Sequence, residues 1–147
     1  MSGPGLYPAA FFASILLLLT GRPVQAGEKD SSSGVAEIIY PANVAMSEEP
    51  KGMVFRHFPT GLRLYVYDKD LPGKSVCNAG CESAWPPLMA LSGSKPLGEW
   101  TLVTRYDGQK QWAYRGRPVY MRFHDDPNNP VADGLDGLWH VLKHFAK

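Results

Sequence analysis

The sequence predicts an all-β domain, either a compact sandwich or a small barrel, with one short helical turn. Short runs of β-branched and aromatic residues alternate with turn residues along most of the chain. The 13 prolines and 15 glycines suit many short strands joined by tight turns. No segment shows a sustained apolar period of 3.6 residues, so a long amphipathic helix is not expected.

The N-terminal stretch is expected to be removed on export. Residues 6–20 are apolar and uncharged, and they are too short for a comfortable membrane span, which needs about 20 such residues. Val24-Gln25-Ala26 fits the small-x-small rule for a signal-peptide cut, so residues 1–26 would leave and Gly27 would begin the mature chain. An uncleaved anchor remains the alternative, because residues 1–5 contain no Lys or Arg. No Cys lies near the cut to carry a lipid.

The mature chain has the length of one domain. Residues 27–34 are small and polar and predict a disordered leader, which leaves 35–147 as a single β-rich domain. Without Arg22, the 14 remaining basic residues balance the 14 acidic ones. That balance argues against a nucleic-acid partner, because nucleic-acid binding needs a basic surplus. The expected location is the periplasm or the exterior, with no stable membrane span after cleavage.

Apolar and aromatic patterns place the strands, and turn residues separate them. A loop is expected from Pro41 to Gly52, and Asp107-Gly108 is a strong hairpin signal. Residues 81–85 predict one helical turn, which Pro86 would end. The predicted strands are 35–40, 53–58, 62–67, 100–106, 111–114, 119–123 and 138–142.

Two segments of the chain are alike at an offset of 55 residues. Gly61–Tyr65 compares with Gly116–Tyr120, and each tyrosine precedes an aspartate by five positions, Asp70 and Asp125. A tryptophan follows 20 residues after the first tyrosine and 19 after the second. This similarity predicts two related strand–turn repeats, at about 60–90 and 115–143, that pack together. The tyrosines should point inward, and the aspartates should organise the exit turns.

Three segments in order resemble a family of bacterial secreted-repeat proteins, described as predicted lipoproteins, whose repeats carry a Tyr-x4-Asp motif. The resemblance covers about residues 60–143 and implies export, two copies of the repeat and an unassigned biochemical role. It implies that Tyr65, Asp70, Tyr120 and Asp125 take the signature positions. An aromatic residue often follows two positions after the family tyrosine, but the second copy has Arg122 there. The segments are LYVYDKDLPGKSVCNAGCESAWPPL, DGQKQWAYRGRPVY and DGLDGLWHVLK.

Cys77 and Cys81 are the two cysteines of the chain. An even number of cysteines in an exported protein favours a disulfide. Three residues separate the sulfurs and Glu82 follows them, so neither a thioredoxin-like site nor covalent haem attachment is expected. A redox-active or metal-binding pair is the remaining alternative.

Histidines and methionines offer a possible metal or haem site. His124 and His140 follow equivalent ends of the two repeats, and Met121 lies close to the first of them. Imidazole and thioether groups accept copper or haem iron. Ordinary packing of these side chains is the competing explanation. The sequence predicts no definite cofactor and leaves copper or haem as the alternative.

The functional prediction is an exported cell-envelope binding or interaction module without enzymatic activity. Its partner would be an unknown envelope protein or a small ligand. The alternative is a periplasmic, redox-linked accessory protein that binds a metal or haem through His124, His140 and methionine. An enzyme is the least favoured hypothesis, because no nucleophile elbow, metalloprotease motif or phosphate-binding loop occurs in the sequence.

Overall fold

The computed structural model describes residues 37–145, so the predicted signal peptide at 1–26 and leader at 27–34 lie outside the described residues. Antiparallel strands dominate the described chain. The elements are β1 (Val44–Glu49), β2 (Gly52–His57), β3 (Tyr65–Tyr67), α1 (Gly80–Ala84), β4 (Trp100–Thr104), β5 (Lys110–Tyr114), β6 (Arg117–Tyr120), a 3₁₀ turn (Leu135–Gly137) and β7 (Trp139–Val141).

The strands form two sheets. β1 and β2 form a two-stranded sheet, and the second sheet has five strands in the order β4-β5-β6-β3-β7. All pairings within both sheets are antiparallel. The predicted all-β class is confirmed as a sandwich-like arrangement, and the strands of residues 37–145 do not close into a barrel.

The first predicted strand is wrong where it can be checked. Residues 37–40 have no regular structure, and β1 lies instead within the predicted loop between Pro41 and Gly52. β1 pairs with β2 along its whole length, from Val44↔His57 to Glu49↔Gly52. Local propensity misses this strand because acidic residues at its end disfavour β structure. In the folded chain Glu49 forms ion pairs with Arg56 and Arg63, and these contacts cannot be read from the local sequence.

The other elements follow the sequence prediction closely. Asp107-Gly108 turns the β4–β5 hairpin, with Gly108 at φ +83°. The predicted helical turn is present as α1, one residue earlier than expected. The strands predicted at 62–67 and 119–123 are shorter, because β3 begins at Tyr65 and β6 ends at Tyr120.

Within residues 37–145, two segments have matching strands and backbone hydrogen bonds, and we call them the two copies. Tyr65 of β3 pairs directly with Tyr120 of β6 in antiparallel register, which places an approximate two-fold axis between equivalent residues. The first copy, residues 41–90, contains β1, β2, β3, α1 and a tryptophan segment at 85–89. The second copy, residues 97–145, contains β4, β5, β6 and β7. Both are longer than the predicted repeats, because each includes the hairpin before the tyrosine strand.

Backbone hydrogen bonds match between the copies and also join them. The tryptophan segment of each copy bonds to both the tyrosine strand and the hairpin of the other copy. The bond from Asp68 N–H to Leu138 O (2.9 Å) matches the one from Phe123 N–H to Ala84 O (2.9 Å). The bond from Leu142 N–H to Leu64 O (2.7 Å) matches the one from Leu88 N–H to Val119 O (2.8 Å). The bond from Phe55 N–H to Leu142 O (3.0 Å) matches the one from Trp112 N–H to Leu88 O (2.8 Å).

Two buried clusters lie between these elements. One contains Phe55, Trp100 and Trp112 from the hairpins, with Phe55 and Trp100 packed edge to face. The other surrounds Tyr65 and Tyr120. Complete burial of a large apolar side chain contributes about 1.5–3 kcal/mol, so both clusters are substantial sources of stability. The second cluster contains the predicted signature residues.

Candidate functional site

The signature tyrosines and aspartates are bonded in a crossed pattern. The Tyr65 hydroxyl donates to Asp125 Oδ2 at 2.6 Å, and the Tyr120 hydroxyl donates to Asp70 Oδ2 at 2.8 Å. Each tyrosine therefore binds the aspartate of the other copy rather than the one five residues later. Both tyrosines are completely buried. The crossed pairs tie the two copies together at the centre of the domain.

Each aspartate also organises its own loop. Asp70 Oδ1 accepts the backbone N–H of Val76 at 2.8 Å, and Asp125 Oδ1 accepts that of Val131 at 3.3 Å. The spacing is six residues in both copies. One carboxylate oxygen thus holds the loop of its own copy while the other accepts the tyrosine of the opposite copy. Loop shape and copy assembly depend on the same side chain.

Burial changes the acidity of these groups. Removal from water raises the pKa of Tyr65 far above its usual range, and the hydrogen bond to Asp125 raises it further. Burial likewise raises the pKa of Tyr120 and of the Asp70 carboxyl. The phenols therefore remain neutral donors at any physiological pH. This arrangement suits a structural frame, since a catalytic acid or base needs a pKa near the working pH.

A stack of four side chains runs through the cluster. The rings of Trp85 and Trp139 are parallel, with centroids 3.7 Å apart. Tyr67 covers the outer face of Trp139 at 4.2 Å, and the Arg122 guanidinium lies 5.0 Å from the Trp85 ring. Tyr67 and Arg122 occupy equivalent positions in the copies. Arg122 therefore takes the place that Tyr67 has in the first copy, through a cation–π contact instead of a ring stack.

The predicted disulfide between Cys77 and Cys81 is present and encloses the start of α1. The buried guanidinium of Arg105 holds this loop. It donates to the Cys77 carbonyl at 3.1 Å and to Gln111 Oε1 at 2.7 Å, and it forms an ion pair with Glu82. A buried cation is stable only with such partners. The disulfide loop and Arg105 form one fixed unit of the core.

The structure gives the candidate metal ligands different neighbours. His140 Nε2 lies 2.7 Å from Asp68 Oδ2, whereas the His124 ring packs beside Phe123 at 4.0 Å. Met121 packs against the buried cluster that contains Phe55, Trp100 and Trp112. Within residues 37–145, no three His, Cys, Asp or Glu side chains form a group that could hold a metal ion. The metal or haem hypothesis remains a prediction.

An open cleft lies on one face of the second copy, beside β7. Its volume is about 410 Å³, within the range of pockets that hold small molecules. Val66, Tyr114, Leu142 and the exposed ring of Phe145 form its apolar part. The strands that provide its floor belong to both copies, so the crossed frame also positions this cleft.

Basic side chains surround the cleft. Arg115, Arg117, His140 and Lys143 line it, together with the carboxylate of Asp133. Asp68 forms ion pairs with Arg117 and His140, and the His140 contact is the main cause of its lowered pKa. Glu99 pairs with Arg115 at 2.8 Å. Burial raises the pKa of Tyr114 to about 12, so this phenol contributes a neutral hydroxyl beside the cations.

Sequence reasoning identified only His140 among the residues of this cleft. The others lie on a hairpin turn, two strands and the C-terminal segment, and none forms a motif. One signal was available at the aligned positions of the repeat: the second copy has Arg117 where the first has Leu62. A systematic difference in charge between aligned copies would have pointed to this face.

Comparison with known proteins gives one family. Residues 101–143 match the model of a family described as a secreted repeat of unknown function. The match covers most of the second copy, from β4 to the end of β7. Neither the curated proteins nor the solved structures include a match to the chain. The resemblance to secreted-repeat proteins is therefore shown for this segment, and the Tyr-x4-Asp signature remains a prediction.

A search for membrane-spanning helices is also negative for the described part of the chain. Between residues 37 and 145, no helix has the length and apolar character that crossing a bilayer requires.

Proposed function

We propose that the protein is an exported binding module of the cell envelope, without enzymatic activity, and that the mature form starts at Gly27. The cleft beside β7 carries this proposal. It is a concave, partly apolar space of about 410 Å³ on a body that the crossed Tyr–Asp pairs hold together. A fixed frame with an open cleft suits recognition, because little conformational entropy is lost on binding.

Export is supported by the match of residues 101–143 to a secreted repeat and by the disulfide, which persists in oxidising compartments. The periplasm is the proposed location. Cell fractionation followed by N-terminal sequencing tests it, with Gly27 as the expected first residue. A chain that begins at Met1 in the membrane fraction would contradict cleavage and support the anchored alternative.

Binding is tested on protein purified from the envelope under native conditions. Native mass spectrometry should detect a bound small molecule or a partner protein, and addition of envelope extract should raise the melting temperature of the stripped protein. Failure of both measurements would overturn the binding proposal. The absorption spectrum and metal content address the alternative: a Soret band or one copper per chain, removed by His140→Ala, would support metal or haem binding.

A further inference from the structure

We infer that the cleft beside β7 binds a small organic anion with an apolar body. This inference rests on the proposed function and specifies its ligand. The acidic head would lie among Arg117, Arg115 and Lys143, and the apolar part would lie against the exposed ring of Phe145, next to Val66 and Leu142. The Tyr114 hydroxyl, which donates to Glu99 Oε2 at 2.7 Å, adds a neutral polar group next to the cations.

The two copies provide an internal comparison. Matching backbone contacts define the equivalent positions: Phe58 N–H to Asn43 O corresponds to Arg115 N–H to Glu99 O, both at 2.9 Å. At the four basic positions of the cleft the other copy has apolar residues. The equivalent pairs, second copy first, are Arg115 and Phe58, Arg117 and Leu62, His140 and Pro86, and Lys143 and Met89.

The fold therefore does not require cations at these positions, because the first copy builds the same strands with apolar side chains. Surface ion pairs such as Arg117–Asp68 contribute little stability, typically about 0–1 kcal/mol. The side chains of Arg117 and Asp68 are both more than 40% exposed, at 48% and 42%. Because the first copy builds the same strands without these cations, we assign the cluster to ligand binding.

The remaining donor capacity favours an anion. A guanidinium has five N–H donors in a planar fork that fits a carboxylate or phosphate. Within residues 37–145, Arg117 gives one of these to Asp68, at 2.8 Å. Three permanent cations line the cleft with the carboxylate of Asp133, which itself accepts the Val141 backbone N–H at 2.9 Å. Two of these cations, Arg117 and Arg115, also pair with Asp68 and Glu99. Adjoining apolar surface requires that the anion also carries an apolar body.

The experiment compares two probes of similar body and opposite charge on the mature protein. Calorimetry should show binding of octanoate and no comparable binding of octyltrimethylammonium. Raising the salt concentration should weaken octanoate binding, because the cations are partly exposed and screened. Equal binding of both probes would overturn the assignment of an anion.

A double variant tests the location of the site. Arg117→Leu with Lys143→Met introduces the residues that the first copy has at these positions, so the fold is expected to tolerate them. Octanoate affinity should fall by about ten-fold or more, as the loss of two charge-assisted contacts predicts. The matched control is Lys74→Gln with Lys95→Gln, which removes the same charge from exposed residues outside the cleft and should leave affinity unchanged.

The outcomes separate the two levels of the proposal. Unchanged octanoate affinity in the folded Arg117→Leu/Lys143→Met variant would overturn this site. Absence of octanoate binding to the unmodified protein, together with a ligand or partner found by native mass spectrometry, would overturn the anion while the binding module stands. Circular dichroism confirms that each variant is folded before its affinity is compared.

Discussion

At the scale of single residues, the crossed Tyr–Asp pairs connect stability with assembly. Asp125 is 9% exposed and is held by the Tyr65 hydroxyl and the Val131 backbone N–H. When a buried carboxylate loses a donor, its desolvation cost is no longer offset, because water cannot reach it to supply another hydrogen bond. The two tyrosines are equivalent by sequence, but Tyr120 also contacts the Ser75 hydroxyl at 2.7 Å.

Tyr65→Phe is expected to lower the free energy of unfolding by about 1.5–3 kcal/mol, the range for a hydrogen bond to a charged group. Urea denaturation measures this change. The control is Tyr67→Phe, which keeps its ring stacked on Trp139 and should change stability by less than about 0.5 kcal/mol. Equal effects of the two substitutions would show that the Tyr65–Asp125 bond contributes no special stability.

The buried phenols also predict a dependence of stability on pH. The pKa values of Tyr65 and Tyr120 are raised in the folded protein, mainly by burial, and that of Tyr114 is raised to about 12. In the unfolded chain tyrosine titrates near about 10. The associated stability is therefore fully present below about pH 10 and is lost as the pH rises through the folded-state values.

An absorbance titration of tyrosinate tests this directly. In the native state, below about pH 11, Tyr65→Phe should give the same tyrosinate signal as the unmodified protein, because Tyr65 is not ionised there. In denaturant the variant should give one tyrosinate fewer. A smaller native signal in the variant would mean that Tyr65 titrates normally.

At the scale of elements, the four-layer stack determines how the tryptophan segments meet. Trp85 and Trp139 come from different copies, and their outer faces are covered by Arg122 and Tyr67. Because these two covering residues occupy equivalent positions, Tyr67 suggests which residue could replace Arg122, namely a tyrosine. A cation–π contact contributes about 0.5–1 kcal/mol when partly exposed.

Arg122→Gln should therefore lower the free energy of unfolding by about 0.5–1 kcal/mol, because the Trp85 face loses its cation. Arg122→Tyr should recover most of this loss, since a ring in that position reproduces the Tyr67–Trp139 stack. Thermal or urea denaturation measures both variants. If Arg122→Tyr is no more stable than Arg122→Gln, the two positions are not interchangeable.

Individual elements also show what the sequence can and cannot specify. The β4–β5 hairpin, α1, the Cys77–Cys81 disulfide and the inward tyrosines follow from local patterns and were predicted. β1 was missed because Glu49 is compatible with a strand only when Arg56 and Arg63 neutralise it. The crossed bonds were missed because Tyr65 and Asp125 are 60 residues apart and each has a nearer partner in sequence.

At the scale of the whole molecule, the two copies complete each other. β7 of the second copy pairs with β3 of the first, and Leu88 of the first bonds to Val119 and Trp112 of the second. A copy alone would leave the backbone groups that bond to the other copy without partners, at a cost of about 1–3 kcal/mol for each buried group. The domain is therefore expected to fold as one cooperative unit.

Separation of the copies tests this expectation. A chain cut between Gly93 and Ser94, in the exposed connection between the copies, yields fragments 27–93 and 94–147. Each fragment alone should be unfolded by circular dichroism, and the mixture should recover β structure as a one-to-one complex by gel filtration. A fragment that folds alone would show that exchange of the tryptophan segments is unnecessary. Insertion of a glycine–serine linker at the same place is the matched control and should be tolerated.

The sequence could not predict the cleft, because the cleft depends on the arrangement of the whole molecule. Its lining combines a turn at Arg115, strand residues such as Val66 and His140, and Phe145 near the C-terminus. Their proximity is created by strand order and by the exchange between copies, neither of which local periodicity encodes. Composition gave no indication of the cleft, because basic and acidic residues balance over residues 27–147.

The direct pairing of Tyr65 with Tyr120 has an evolutionary consequence. Because equivalent residues meet at the axis, two separate chains of one unit each could make the same contacts as a symmetric homodimer, whose interface is isologous. In such a homodimer every substitution appears twice, so both outer faces must remain identical. Tandem fusion removes that constraint, so one face can acquire charged residues while the equivalent face of the other copy remains apolar.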